Sequence, residues 1–267
     1  MQVDTEALAQ RALWFAQHAL TLFGLMLGLL LLLTWVGWRL LRRDPLEGLP
    51  HWPTRPKRLV LGVALILLGA LVFSGLAIQI GAGGALGQAD QALADALGVS
   101  FAGPALKVFA AFTHLGDTAT LTVMCIGLAA ALVVAGRNGL ALGWVTAVAG
   151  NGLLNQALKD HFGRVRPLQV DALFSAQGLS FPSGHSSGAV VAYGMLAYLA
   201  LRLLHPRWHL AVLLSALVLI LTIGTSRVLL RVHFASDVLA GFASGTAWLA
   251  LCVTCMELLR GWRRSPA

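Results

Sequence analysis

Apolar runs dominate the chain. Seven of them, near 17–38, 59–80, 118–136, 139–158, 185–204, 209–227 and 237–257, approach bilayer-spanning length. A helix needs about 20 residues to cross ~30 Å of hydrocarbon, so each run is predicted to be a transmembrane helix. Between the second and third, Leu86, Ala89, Leu93 and Leu97 recur at helical spacing, with Asp90, Gln91 and Asp95 off that face. That pattern predicts an amphipathic helix lying on the membrane. The stretch from Val99 to Leu115 is apolar but broken by Pro104 and Lys107, and is expected to be interfacial or half-inserted. Prolines and glycines within 42–56 mark an irregular linker.

Composition agrees with this reading. The 267 residues are 58% hydrophobic and 11% charged, where a soluble domain carries about 25% charged residues. The class is an all-α polytopic membrane bundle, with nothing left for a separate soluble module. The net charge of +8 does not point to nucleic acid, because the basic residues flank apolar segments rather than forming a block with aromatics. Arg39, Arg42, Arg43, Arg55, Lys57 and Arg58 place residues 39–58 in the cytoplasm. Alternation then puts Arg137, Arg202, Arg207, Arg260, Arg263 and Arg264 on the same side, and the N-terminus, 81–117, 159–184 and 228–236 on the other. The start of the chain, with Asp4 and Glu6 and no basic stretch, is expected not to be a signal peptide. Cys125, Cys252 and Cys255 lie inside apolar runs and are read as packed thiols rather than a redox or metal pair.

Three polar stretches interrupt the apolar pattern at helix ends, all on the predicted non-cytoplasmic side. They are Lys159–Pro167 (KDHFGRVRP), Phe181–Ser187 (FPSGHSS) and Ser226–Asp237 (SRVLLRVHFASD). Charges near hydrocarbon are costly, so their clustering points to a function. His233 and Asp237 are four residues apart, on one helical face. A carboxylate there can hold Nδ1–H and leave Nε2 free as a nucleophile. Arg227 precedes them, and a guanidinium fork suits phosphate. Ser183, Gly184 and His185 open the fifth run, where free backbone N–H groups and the helix dipole favour an anion. Ser183 also has a simpler reading as a helix cap. His185 can act as a general acid. Lys159 and Arg166 are cations on the side where the positive-inside rule disfavours them. Asn151 and Asn155 are read as interhelical hydrogen-bonders.

Taken in order, K-x6-RP, PSGH and SR-x5-H-x3-D resemble the signature of the type 2 phosphatidic acid phosphatase superfamily. That group includes bacterial membrane lipid phosphatases and, distantly, vanadium haloperoxidases and glucose-6-phosphatase. The resemblance implies a six-helix core over 59–260, preceded by an added transmembrane helix and basic cytoplasmic linker (1–58) and followed by a short tail (261–267). It implies that His233 attacks phosphorus to form a phosphohistidine, that Asp237 orients it, and that His185 protonates the leaving group. Lys159, Arg166, Arg227, Ser183 and Gly184 would hold the phosphoryl oxygens, without metal or cofactor. Arg231 stands where a small residue is frequent in the family. With Arg164 and His161, it is read as a solvated loop group or a contact that tunes substrate choice.

The implied substrate is a membrane lipid phosphate or diphosphate, such as undecaprenyl diphosphate, phosphatidylglycerophosphate or phosphatidic acid, met at the periplasmic face of a bacterial inner membrane. A lipid A phosphatase or a lipid phosphotransferase on the same scaffold is the alternative. A non-catalytic lipid-binding or transport protein is the remote one.

Overall fold

The computed structural model describes residues 5–41, 55–80, 84–101, 103–167 and 178–262. Most of the 42–56 linker, and the tail beyond 262, lie outside the described residues. The rest is helical, with no strand among the described residues.

Five helices are long and apolar enough to cross a membrane: α2 (Ala19–Leu41), α3 (Arg55–Ala77), α8 (Gly184–Leu203), α9 (His209–Leu229) and α10 (Ala235–Trp262). A sixth crossing arises if α5 (Pro104–Thr113) and α6 (Thr118–Val134) count as one span bent by 45°. The bend falls at the short 3-10 turn His114–Gly116 and the N-cap Asp117. Helix α7 (Asn138–Phe162) has spanning length at 25 residues, but Asn151, Asn155 and its glycines dilute its hydropathy. The predicted runs thus match helices. The stretch from Val99 to Leu115, expected to be interfacial or half-inserted, forms the end of α4 (Ala85–Ser100), α5 and the turn that joins it to the run predicted at 118–136.

Helix α8 is the centre of the bundle, with 67% of its span window buried, whereas none of the α2 window is. Leu25, Leu29, Leu32 and Leu33 of α2, like Val60, Leu67 and Leu71 of α3, face outward as lipid-facing residues should. The main core joins α6, α7, α8 and α10 around the fully buried Trp144 and Met195. Trp144 Nε1 donates to the Cys125 carbonyl at 3.0 Å, and Trp248 Nε1 to the Ala147 carbonyl at 2.9 Å, tying α6 to α7 and α7 to α10. Cys125 and Cys252 are buried thiols, but Cys255 is exposed on the outside of α10 rather than packed.

Two surface helices sit at the end of the bundle that carries the motifs. Helix α1 (Thr5–Gln17), absent from the sequence prediction, packs Ala12 and Ala16 inward beside α4 (Ala85–Ser100). Helix α4 is the predicted amphipathic helix, rotated from its predicted setting. Its buried face is Gly87, Asp90, Ala94 and Leu97, so Asp90 points in rather than away. Arg164 and Ser236, described below, supply the polar partners that make this rotation favourable.

Candidate active site

Four helix ends meet where the three motifs converge. Helix α7 stops at Gly163, whose left-handed backbone (φ 60°) turns the chain and bonds its N–H to the Lys159 carbonyl at 2.9 Å. That leaves Lys159 in the last turn, with Nζ donating to the Leu179 carbonyl at 2.5 Å. Ser183 caps α8: its hydroxyl oxygen accepts from the Ser186 N–H at 3.4 Å and the Ser186 hydroxyl at 3.0 Å. The Ser183 N–H donates to the Asp237 carbonyl at 3.0 Å, which locks the start of α8 to the start of α10. Phe181 is fully buried and rests on Phe73 and Phe162 at 5.4 and 5.1 Å between ring centroids.

His233 sits in the turn between α9 and α10, buried with Asp237. Arg166 Nη1 donates to His233 Nε2 at 3.0 Å and to the Val232 carbonyl at 2.6 Å. A guanidinium has only donors, so Nε2 must carry the lone pair and Nδ1 the proton. That proton faces Ser180 Oγ at 3.3 Å and Asp237 Oδ2 at 3.4 Å. The Ser180 hydroxyl itself donates to Asp237 Oδ2, as does the Phe234 N–H at 2.9 Å. Burial pushes the His233 imidazole down to about 3, only partly offset by the Asp237 hydrogen bond. Burial also lowers Arg166, against the pull of Asp237. The result is a neutral imidazole whose Nε2 lone pair faces a fixed cation.

Across the site, Arg227 is buried, and its Nη1 donates to Thr113 Oγ1 at 2.8 Å. Its Nε has no hydrogen-bond partner among the described residues. A buried donor left unpaired is expensive, and an anion would satisfy it. His185 Nε2 meets Asp117 Oδ1 at 2.8 Å, and His114 Nδ1 meets Asp117 Oδ2 at 2.7 Å. Burial would raise the Asp117 carboxyl, but the hydrogen bonds from His114 and His185 hold it below its usual range.

Lys159, Arg166, Gly184, His185, Arg227 and His233 all line one cavity of about 1020 Å³. Its other walls mix apolar residues of α6 (Leu121, Ile126, Ala129) and α7 (Val145, Val148, Leu153) with polar ones of the same helices, Thr118 and Thr122 of α6 and Asn151, Asn155 and Gln156 of α7. The Gly184 position has little room: a Cβ there would lie 3.0 Å from Asn155 Oδ1. Asn151 and Asn155 donate to Ser187 Oγ at 3.4 and 3.2 Å, the interhelical role expected of them.

Ser183 and Asp237 stand behind the cavity wall. Ser183 is fully buried as the α8 cap, so the simpler reading of that residue is the one observed. None of the three selectivity candidates lines the cavity. His161 is exposed with its ring against Phe162, and Arg231 packs its guanidinium against Gly98 of α4. Arg164 is not a solvated loop cation. Its side chain is only 10% exposed, with Nη1 on Asp237 Oδ1 (2.7 Å) and Nη2 on Asp90 Oδ2 (2.8 Å). Sequence reasoning missed Ser180, Asp117 and Asp90. Ser180 lies next to FPSGHSS, and Asp117 caps a predicted span, but nothing local announces their partners.

The PAP2 superfamily matches residues 138–260, a span that holds all three motifs. Phosphatidylglycerophosphatase B of Bacillus subtilis is 34% identical over 141 residues, covering 52% of this chain and 69% of that protein. The chain belongs to the PAP2 superfamily. Lipid A 1-phosphatase of Rhizobium johnstonii is 39% identical over 110 residues, 38% of this PAP2 chain and 41% of that protein. The crystal structure of a transmembrane PAP2-type phosphatidylglycerolphosphate phosphatase from Bacillus subtilis matches with a TM-score of 0.66 at 32% identity. That match covers 74% of this chain and 96% of the other. The protein is an integral membrane PAP2 phosphatase, a phosphoric monoester hydrolase, with an all-helical fold.

Proposed function

We propose that this PAP2 phosphatase removes phosphate from a membrane amphiphile through a phosphohistidine. One observation carries the reading: a single cavity is lined both by His233 with the three cations Lys159, Arg166 and Arg227 and by apolar residues of α6 and α7, among them Leu121, Ile126, Val145 and Val148. A phosphorylated headgroup suits the first set and a hydrocarbon tail the second.

In this mechanism His233 Nε2 attacks phosphorus, and the bond from phosphorus to the leaving oxygen breaks. Lys159, Arg166 and Arg227, with the Gly184 end of α8, neutralise the equatorial oxygens, so no metal is required for that task. Asp237 and Ser180 hold the Nδ1 proton as the ring becomes cationic. His185 gives its proton to the leaving oxygen, with Asp117 orienting its ring. Water then attacks phosphorus while the now neutral His185 takes its proton, the bond from phosphorus to Nε2 breaks, and inorganic phosphate leaves with His233 neutral again.

The substrate most consistent with the relatives is phosphatidylglycerophosphate, and phosphatidic acid and undecaprenyl diphosphate present the same terminal phosphate on a lipid. The likeness to lipid A 1-phosphatases over 110 residues makes lipid A the second reading. A panel of these lipids in detergent, with chelator present, measures phosphate release directly. His233→Ala should abolish release, and Asp117→Asn should lower it. Full activity in His233→Ala would end the mechanism, and release from lipid A alone would favour the second reading.

A further inference from the structure

A polar bridge leads from the surface helix α4 to the back of the His233–Asp237 pair. Asp90 is buried, whereas Asp95, one turn along the same helix, is exposed. Asp90 Oδ1 accepts the Ser236 N–H at 3.1 Å, in the first turn of α10. Its Oδ2 accepts Arg164 Nη2 at 2.8 Å and the Ser236 hydroxyl. Arg164 Nη1 reaches on to Asp237 Oδ1 and Ser236 Oγ, both at 2.7 Å. Its guanidinium lies over the Phe234 ring, 4.3 Å from the centroid, which closes the fork from the side.

Asp237 is therefore held from both oxygens. Ser180, the Phe234 N–H and His233 engage Oδ2, and Arg164 is the one cation among the described residues that engages Oδ1. A buried carboxylate needs such a partner, and a fork that binds two carboxylates at once fixes both their positions and its own. Lys cannot replace that fork, because an ammonium is a point donor.

We propose that Arg164 and Asp90 are positioning residues for Asp237, so that docking of α4 is part of the assembled catalytic pair. The inference rests on the proposed role of His233 and Asp237. Neither Arg164 nor Asp90 lines the cavity, so their effect is on turnover rather than on substrate binding. The size follows from losing one charged hydrogen bond, roughly a 10- to 100-fold effect.

The test uses the full-length protein in detergent with the best lipid of the substrate panel. Arg164→Gln and Arg164→Lys should both lower kcat roughly 10- to 100-fold while KM stays within about twofold. Asp90→Asn should lower kcat in the same way but less, since it leaves the Arg164–Asp237 contact in place. It also carries the test alone if the Arg164 variants fail to fold, as judged by size-exclusion and thermal melting. Wild-type kcat in Asp90→Asn and in any folded Arg164 variant, or a raised KM at full kcat, would overturn the inference. His233→Ala run in parallel separates the two levels. An active His233→Ala removes the underlying mechanism. An inactive one beside wild-type-like Asp90 and Arg164 variants removes only the positioning role.

Discussion

Burial strips His233 of hydration while Ser180 and Asp237 keep its Nδ1–H in place, and the imidazole falls to about 3 in the folded protein. In the unfolded chain it takes a proton near pH ~6.5. Between those values the unfolded state binds the extra proton, so the contribution to stability is complete above about pH 6.5 and declines as pH falls towards 3. Melting temperature in detergent from about pH 7.5 to about pH 4.5 should therefore drop more steeply for wild type than for His233→Gln. Parallel slopes would show that His233 is not held neutral. Asp117 adds no slope in that window, because its carboxyl is held low and titrates below it. At this scale the sequence is informative where partners are local: His233 and Asp237 share a helical face and can be paired by spacing. Asp90, Asp117 and Ser180 reach partners on other elements, and no spacing rule brings them together. Arg164 reads as a loop cation in the sequence because both of its carboxylate partners come from distant parts of the chain.

Between elements, glycines set how closely α10 approaches its neighbours. A Cβ on Gly241 would lie 2.6 Å from the Ser183 carbonyl oxygen and 2.8 Å from Ser186 Cβ, and one on Gly245 would lie 2.9 Å from the Ser187 carbonyl. These contacts press α10 against the first turn of α8, where Gly184 and His185 sit. Gly241→Ala should push that turn away, destabilise the protein by about 1–3 kcal/mol and reduce phosphate release. A Cβ on Gly24 of α2 would meet nothing within 4 Å, so Gly24→Ala should leave melting and activity unchanged. Equal behaviour of the two variants would show that the α8–α10 contact does not set the site. The five clear spans are legible because hydropathy marks them, and α7 is legible as a helix of spanning length although its asparagines and glycines dilute its hydropathy. What hydropathy does not mark is a helix held by small residues and one polar bridge. Helix α1 docks through Ala12 and Ala16, and α4 turns Asp90 inward for Arg164 and Ser236.

Across the whole molecule, all four motif-bearing helix ends lie at one end of the bundle, together with α1 and α4. The ends carrying Arg137, Arg202, Arg207 and Arg260 lie at the other, since successive helices run in opposite directions. Most of the positive residues outside the site, though not Arg11 or Arg231, thus collect at the end away from the cavity, the side the positive-inside rule assigns to the cytoplasm. A substrate presented in the outer leaflet would meet the cavity between α6 and α7 without crossing the bilayer. This arrangement predicts that a C-terminal green fluorescent protein fusion is fluorescent and a C-terminal alkaline phosphatase fusion inactive. It also predicts that Asp95→Cys, on the exposed side of α4, reacts with a membrane-impermeant maleimide in intact spheroplasts. Labelling only after permeabilisation, together with an active phosphatase fusion, would invert the topology and place the cavity on the cytoplasmic leaflet. The catalytic geometry would survive that inversion, but the pool of lipid phosphates open to the enzyme would be a different one.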